Sequence, residues 1–190
     1  MIVNKILTKV NIILIKNYLT NKFLYDIIRY KIKQQQIILN KFHKRKGVNI
    51  MATRQEKYPE TRTFHYYNAN PKNRITCDCA LRAVCTGLNE DYNKVLLEMV
   101  QVQIETGYEY TGDKAIEKYL TSKGWIKHKQ PRKADNTKYT GKEFCGLLAD
   151  KNKRYICNIG GHHMVAIVYG KVNDIWDSTY KCIGNYWTKD

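Results

Sequence analysis

The hydrophobic pattern of this sequence changes its period once, near residue 150, and that change limits the fold more than any motif does. Before it, apolar residues recur at the three- and four-residue spacing of buried helix faces. These segments begin near Cys79, Asp91, Asp113 and Thr140. After it come β-branched and aromatic runs at 154–159, 162–170, 172–176 and 182–187. The sequence therefore predicts an α+β fold in which N-terminal helices pack on a C-terminal antiparallel sheet.

The first fifty residues differ in composition from the rest of the chain. Residues 1–50 contain eleven Lys or Arg and one acid, Asp26, and the Ile, Lys and Asn of AT-rich codons make up 26 of the fifty. Two interpretations stay open: an upstream extension outside a working protein that starts at Met51, or a basic amphipathic helix on a membrane surface or nucleic acid. We expect residues 51–69 to form an N-terminal arm and residues 70–190 to form the domain.

Charge and cysteine content exclude several function classes for the domain. Beyond residue 50, 22 basic residues stand against 16 acidic ones, so no nucleic-acid partner is expected there. No stretch reaches the roughly 18 uncharged apolar residues of a membrane span. Six cysteines without a cleavable signal predict free thiols in a reducing, cytoplasmic compartment. Cys77 and Cys79 are too close for a zinc pair and no second close pair follows, so no metal or cofactor is expected.

Three of the six cysteines lie within the stretch NRITCDCALRAVCTG. Thr76 or Asp78 can cap a helix that starts near Cys79, which puts the Cys79 thiol in the first helical turn. Free N–H groups and the helix dipole favour an anion there. Cys77 precedes the cap and Cys85 lies on the packed side. Cys79 is therefore the candidate nucleophile, and the alternative is a buried thiol at a helix start.

A candidate base and its orienting acid lie near the other end of the chain. His163 begins an alternating run at the edge of a buried strand. With a tight turn at 170–171, an antiparallel hairpin would bring residues 176–178 opposite the first residues of that strand. This register predicts that the carboxylate of Asp177 reaches the imidazole of His163.

These three segments resemble the papain-like cysteine peptidase superfamily. CDCALRAV looks like that family's nucleophile helix, HHMVAIVYG like its histidine strand, and DIWDST like its orienting-acid segment. The likeness covers roughly residues 70–187 and is strongest to small stand-alone papain-like proteins of bacteriophages. It implies a papain-like fold, with the nucleophile at a helix start and the helices packed on the sheet.

Carried over residue by residue, the resemblance implies a catalytic triad of Cys79 as nucleophile, His163 as base and Asp177 as orienting residue. Asn73, one methylene shorter, stands where the family has its oxyanion Gln. The implied activity is that of a thiol protease or amidase that hydrolyses a peptide or protein substrate, in the host cytoplasm if phage-encoded. The alternatives are a papain-like binding or inhibitory protein without turnover, and a cell-wall amidase.

Overall fold

The computed structural model describes residues 52–189, so the predictions for residues 1–50 lie outside the described residues. In this part of the chain the helices are α1 (Arg54–Lys57), α2 (Cys79–Leu88), α3 (Tyr92–Thr106), α4 (Asp113–Ser122) and α5 (Gly141–Glu143), which a π-helical turn (Phe144–Leu148) continues. The strands are β1 (Phe64–Tyr66), β2 (Ile126–His128), β3 (Arg154–Ile159), β4 (His163–Val168), β5 (Lys171–Asp174) and β6 (Ile183–Thr188). The predicted α+β class is confirmed. None of these helices is long and apolar enough to cross a bilayer.

Local capping chemistry fixes several of the helix ends. The Asp91 side chain accepts a hydrogen bond from the third backbone N–H of α3, and α3 ends at Gly107, which has a left-handed φ of 73°. Thr140 and Glu143 form the predicted capping box at the start of α5. α2 ends at Asn89, whose φ of 59° is tolerated by asparagine better than by most residues. These local signals explain why the predicted helix starts agree with the structure.

The six strands form one sheet in the order β1-β5-β4-β3-β6-β2. β1 pairs with β5 in parallel, and all other neighbours are antiparallel. The four strands predicted from the alternating runs form the middle of this sheet. The two edge strands, β1 and β2, were not predicted, because three residues are too few to show an alternating period.

The turn between β4 and β5 lies one residue earlier than predicted. Val168 pairs with Lys171, so the two-residue loop is Tyr169-Gly170 and not 170–171. Both loop residues are left-handed, with φ values of 53° and 69°. Such loops match the right-handed twist of the flanking strands. Moving the turn by one residue shifts every cross-strand partner by two positions. The shift changes which acidic residue lies near His163.

Both faces of the sheet are covered by apolar side chains. One face packs against α2, α3 and α4, and the buried core there includes Leu81, Val84 and Trp187. The other face packs against the π-helical turn through residues such as Phe144. Gly87 lies inside α2, where an added Cβ would come 2.3 Å from Cγ1 of Ile156. The close approach of α2 to the sheet therefore depends on this glycine.

Candidate active site

Cys79 is the first residue of α2, and its thiol is partly exposed. The hydrogen bond with the His163 side chain lowers the pKa of this thiol, and backbone N–H donors at Met164 and Ala80 add to the effect against burial. All six cysteines are free. Burial instead raises the pKa of Cys85 to about 11 and that of Cys145 to about 12. The structure thus gives Cys79 the surroundings of a reactive thiolate, in contrast with these two buried thiols.

His163 is the first residue of β4 and lies between Cys79 and a buried carboxylate. Its Nε2 atom is 2.6 Å from Oδ2 of Asp174, and its side chain is 19% exposed. Burial lowers the pKa of His163, but the hydrogen bonds with Asp174 and Cys79 outweigh that effect and raise the pKa to about 9. Because Asp174 engages Nε2, Nδ1 is the ring nitrogen that remains for Cys79.

The predicted contact between Asp177 and His163 is wrong, because Asp174 occupies that position. Oδ1 of Asp177 instead accepts hydrogen bonds from the backbone and hydroxyl of Thr179, at 3.0 and 2.6 Å. The cause is the register of the β4–β5 hairpin. Val172 pairs with Ile167, and alternation then puts Asp174 on the same face as His163.

Asp174 is held in place by further hydrogen bonds on both carboxylate oxygens. The backbone N–H of Ile175 donates to Oδ1 at 2.7 Å, and the Ser178 hydroxyl donates to Oδ2 at 2.9 Å. The Asp174 side chain is only 3% exposed. Sequence reasoning missed both Asp174 and Ser178, because Tyr169 is not a residue that ordinarily marks the first position of a two-residue hairpin loop.

Residues 52–69 support this acid, although they were expected to form an arm outside the domain. Tyr66 pairs with Asp174 in the sheet, and the backbone N–H of Tyr67 donates to the Asp174 carbonyl at 2.9 Å. Nε of Arg54 donates to the carbonyl of Ile175 at 3.0 Å. The backbone on both sides of the Asp174 side chain is therefore fixed by the N-terminal segment.

A second buried network holds the residue just before Cys79. Asp78 forms an ion pair with Arg82 of the same helix, and both side chains are buried. The Tyr92 hydroxyl donates to Oδ2 of Asp78 at 2.7 Å, and the Asn70 amide donates to the same oxygen at 3.1 Å. Asp78, one of the two residues predicted as a possible cap, holds the N-cap position of α2, yet its side chain makes no capping hydrogen bond. It instead ties the start of α2 to α3 and to the preceding loop.

The predicted oxyanion residue, Asn73, lies in the exposed loop before α2. Its backbone N–H donates to the carbonyl of Asn70 at 2.8 Å, and its Oδ1 accepts from Nδ2 of Asn68 at 3.2 Å. Its φ of 52° is left-handed. No described hydrogen bond joins Asn73 to Cys79 or His163, so its part in the site stays a prediction. Nδ2, the atom that an oxyanion would need, is left available by the contact with Asn68.

The arrangement brings together three of the side-chain groups on which thiol-based acyl transfer depends. A thiol of lowered pKa, an imidazole of raised pKa and a buried carboxylate stand in a row. Among residues 52–189, no group of three or more His, Cys, Asp or Glu side chains could hold a metal ion. No protein-family model, curated protein or solved structure matches the chain.

Proposed function

We propose that this protein is a cysteine hydrolase of papain-like type that cleaves a peptide bond or another amide bond. The observation that carries the proposal is the hydrogen-bonded row of Cys79, His163 and Asp174. The order Cys, His, Asp along the chain and a helix that presents its first residue to a sheet support a papain-like arrangement. Asp174 takes the orienting role that the sequence pattern assigned to Asp177.

In the proposed reaction, Cys79 and His163 form a thiolate–imidazolium pair, and the thiolate attacks the carbonyl carbon of the substrate. His163 then donates its proton to the leaving amine, which leaves a thioester on Cys79. A water molecule, deprotonated by His163, hydrolyses the thioester and restores the thiol. Asp174 holds the imidazole in one orientation and stabilises its protonated form, without itself gaining the proton.

The oxyanion of the tetrahedral intermediate requires two hydrogen-bond donors. The backbone N–H of Cys79, in the first turn of α2, is one proposed donor, and Nδ2 of Asn73 is the other. Asn73→Ala should then lower turnover by roughly 10²–10³ while alkylation of Cys79 by iodoacetamide stays unchanged. If Asn73→Gln raises turnover instead, the native side chain is too short. Unchanged turnover in both variants excludes Asn73 from the site.

The activity is tested by incubating the full chain with a peptide library made from a digested bacterial proteome. New termini are then identified by mass spectrometry. We expect cleavage by the parent and by Cys77→Ala, a matched variant at an exposed thiol two residues away, and none by Cys79→Ala. Cleavage that persists in Cys79→Ala would contradict the proposed nucleophile. No cleavage by the parent would favour the binding protein without turnover.

The reactivity of Cys79 is tested without any substrate. Limiting iodoacetamide at about pH 6 should modify Cys79 before the exposed thiols of Cys77 and Cys182, because only thiolates react and His163 lowers the pKa of Cys79. The adduct is located by peptide mapping. Preferential labelling of Cys77 or Cys182 would show that exposure, and not the contact with His163, governs reactivity.

A further inference from the structure

A cavity of about 640 Å³ opens at the end of α2 that is remote from Cys79. Its walls come from the last turns of α2, the start of α3, the β4–β5 hairpin and the segment around β1. Neither Cys79 nor His163 lines it. The volume lies within the range of small-molecule sites, which is roughly 300–1,000 Å³. Its lining combines apolar groups, including Ala69, Pro71 and Val168, with aromatic and charged residues.

Tyr169 is the most unusual residue of this cavity. It occupies the first position of the β4–β5 loop at a φ of 53°, where Asn, Asp or Gly is the ordinary choice because a bulky side chain is strained there. Its ring is nevertheless 71% exposed, so no packing in the described residues explains why an aromatic residue holds this position. Tyr67, 43% exposed, and Tyr92 also line the cavity. Strain of this kind occurs preferentially at functional sites.

Arg154 supplies the uncommitted charge of the cavity. Its guanidinium lies over the Tyr169 ring at 5.9 Å and donates to the carbonyl of Thr86 and to Oδ1 of Asn89. Those bonds use two of its five N–H donors, and it has no carboxylate partner within residues 52–189.

The acidic residues of the lining have partners of their own. Glu60 is paired with Lys171 at 2.6 Å and with His65 at 3.3 Å. Glu90 is paired with Lys94 at 2.8 Å, and Asp91 caps α3. Arg154 thus remains as the one lining cation without a carboxylate to neutralise it among the described residues.

We propose that this cavity binds a planar aromatic ligand that carries one carboxylate. The ring of the ligand stacks on Tyr169 and packs against the other tyrosines, and its carboxylate accepts the free N–H donors of Arg154. The single uncommitted guanidinium matches one negative charge, and the further charges of a polyphosphate would lie beside Glu60, Glu90 and Asp91 without a free cation, which is why the ligand carries one carboxylate. The site is independent of the proposed hydrolase activity and stands even if Cys79 is no nucleophile.

The test is an NMR titration of the isotope-labelled full chain with 3-phenylpropionate. Two matched compounds are titrated in parallel: 3-phenylpropionamide, which lacks the charge, and propionate, which lacks the ring. We expect saturable shifts at the residues that line the cavity, with an affinity at least about tenfold higher for 3-phenylpropionate than for either control compound. Equal affinity for the amide, or no saturable shifts at the lining residues, would overturn the proposal.

A pair of variants separates ligand binding from folding. Tyr169→Asn removes the ring and relieves the strained backbone, so its urea midpoint should equal or exceed that of the parent while affinity for 3-phenylpropionate falls at least about tenfold. Tyr108→Asn is the matched control, because Tyr108 is 44% exposed and has the cation of Lys114 4.9 Å from its ring centroid, outside the cavity. Retained affinity in Tyr169→Asn, or an equal loss in Tyr108→Asn, would contradict the assignment.

Discussion

Replacing Asp174 by asparagine tests the acid that the structure brings to His163. The pKa of His163 is raised from its ordinary 6.5 to about 9, a difference equivalent to roughly 3 kcal/mol in favour of the imidazolium. Asp174→Asn removes the carboxylate charge that is the largest contribution to this increase. In this variant, burial lowers the pKa of the His163 ring, and only the interaction with Cys79 raises it. We expect the ring pKa to fall by roughly one to two pH units.

The measurement is an NMR titration of the His163 ring in the parent, Asp174→Asn and Asp177→Asn. Asp177→Asn is the matched control, because the described hydrogen bonds of its carboxylate go to Thr179. Any ring pKa observed belongs to the Cys79–His163 pair as a unit, so the three proteins are compared with one another. An unchanged titration in Asp174→Asn, or an equal fall in Asp177→Asn, would refute the assignment of Asp174.

The same substitution has a pH-dependent effect on stability. A pKa that folding raises from 6.5 to about 9 stabilises the native state fully below pH 6.5, and this contribution is lost as the pH rises through 9. The destabilisation by Asp174→Asn should therefore be largest near about pH 6 and smaller near about pH 9. Urea unfolding at both pH values measures it. A cost that does not change with pH would mean that Asp174 stabilises the fold without acting on His163.

Three further predictions concern the packing around the site, and urea unfolding measures each of them. Gly87→Ala should destabilise the protein by about 1–3 kcal/mol because the added Cβ meets the sheet. Gly146→Ala, where the added Cβ has open space, should be neutral or slightly stabilising. Similar losses of stability in both variants would contradict the close approach of α2 to the sheet. Phe64→Ala should cost about 3–5 kcal/mol if the N-terminal segment belongs to the core, and a cost near zero would make it a detached arm. Asp78→Ala should lower the free energy of unfolding by about 3–5 kcal/mol, and Tyr92→Phe should lower it by about 1 kcal/mol. Equal losses would show that the ion pair with Arg82 is not the main stabilising interaction of Asp78.

The parts of the fold that the sequence predicts well are those with a local cause. The helix predicted to begin near Asp113 begins at that residue, and the strand from Arg154 to Ile159 has the predicted bounds, because each contains enough residues to show its period. β1 and β2 contain three residues each, and their pairing partners lie more than 55 residues away along the chain. Edge strands of this length depend on tertiary pairing and leave no periodic signal.

The same distinction applies to the candidate site. Cys79 and His163 could be predicted because each is the first residue of a regular element. The acid could not, because its identity depends on where a two-residue loop falls, and an error of one residue in the loop moves every partner by two. A left-handed tyrosine at the first loop position is so uncommon that a sequence argument favours the wrong turn.

The candidate site is built from charges that alternate in sign, and this explains why it draws on elements from the whole domain. Cys79, whose thiol pKa is lowered, lies beside His163, and His163 is paired with Asp174. The negative charge of Asp174 is felt in turn by the buried guanidinium of Arg82, which Asp78 neutralises. A buried charge is costly unless it has a partner, so each member of this row requires the next. α2 and the residue that precedes it supply three members, β4 and β5 supply one each, and the N-terminal segment fixes the backbone of β5. The lowered pKa of the Cys79 thiol is thus a property of the assembled sheet and helix, which neither element could produce alone.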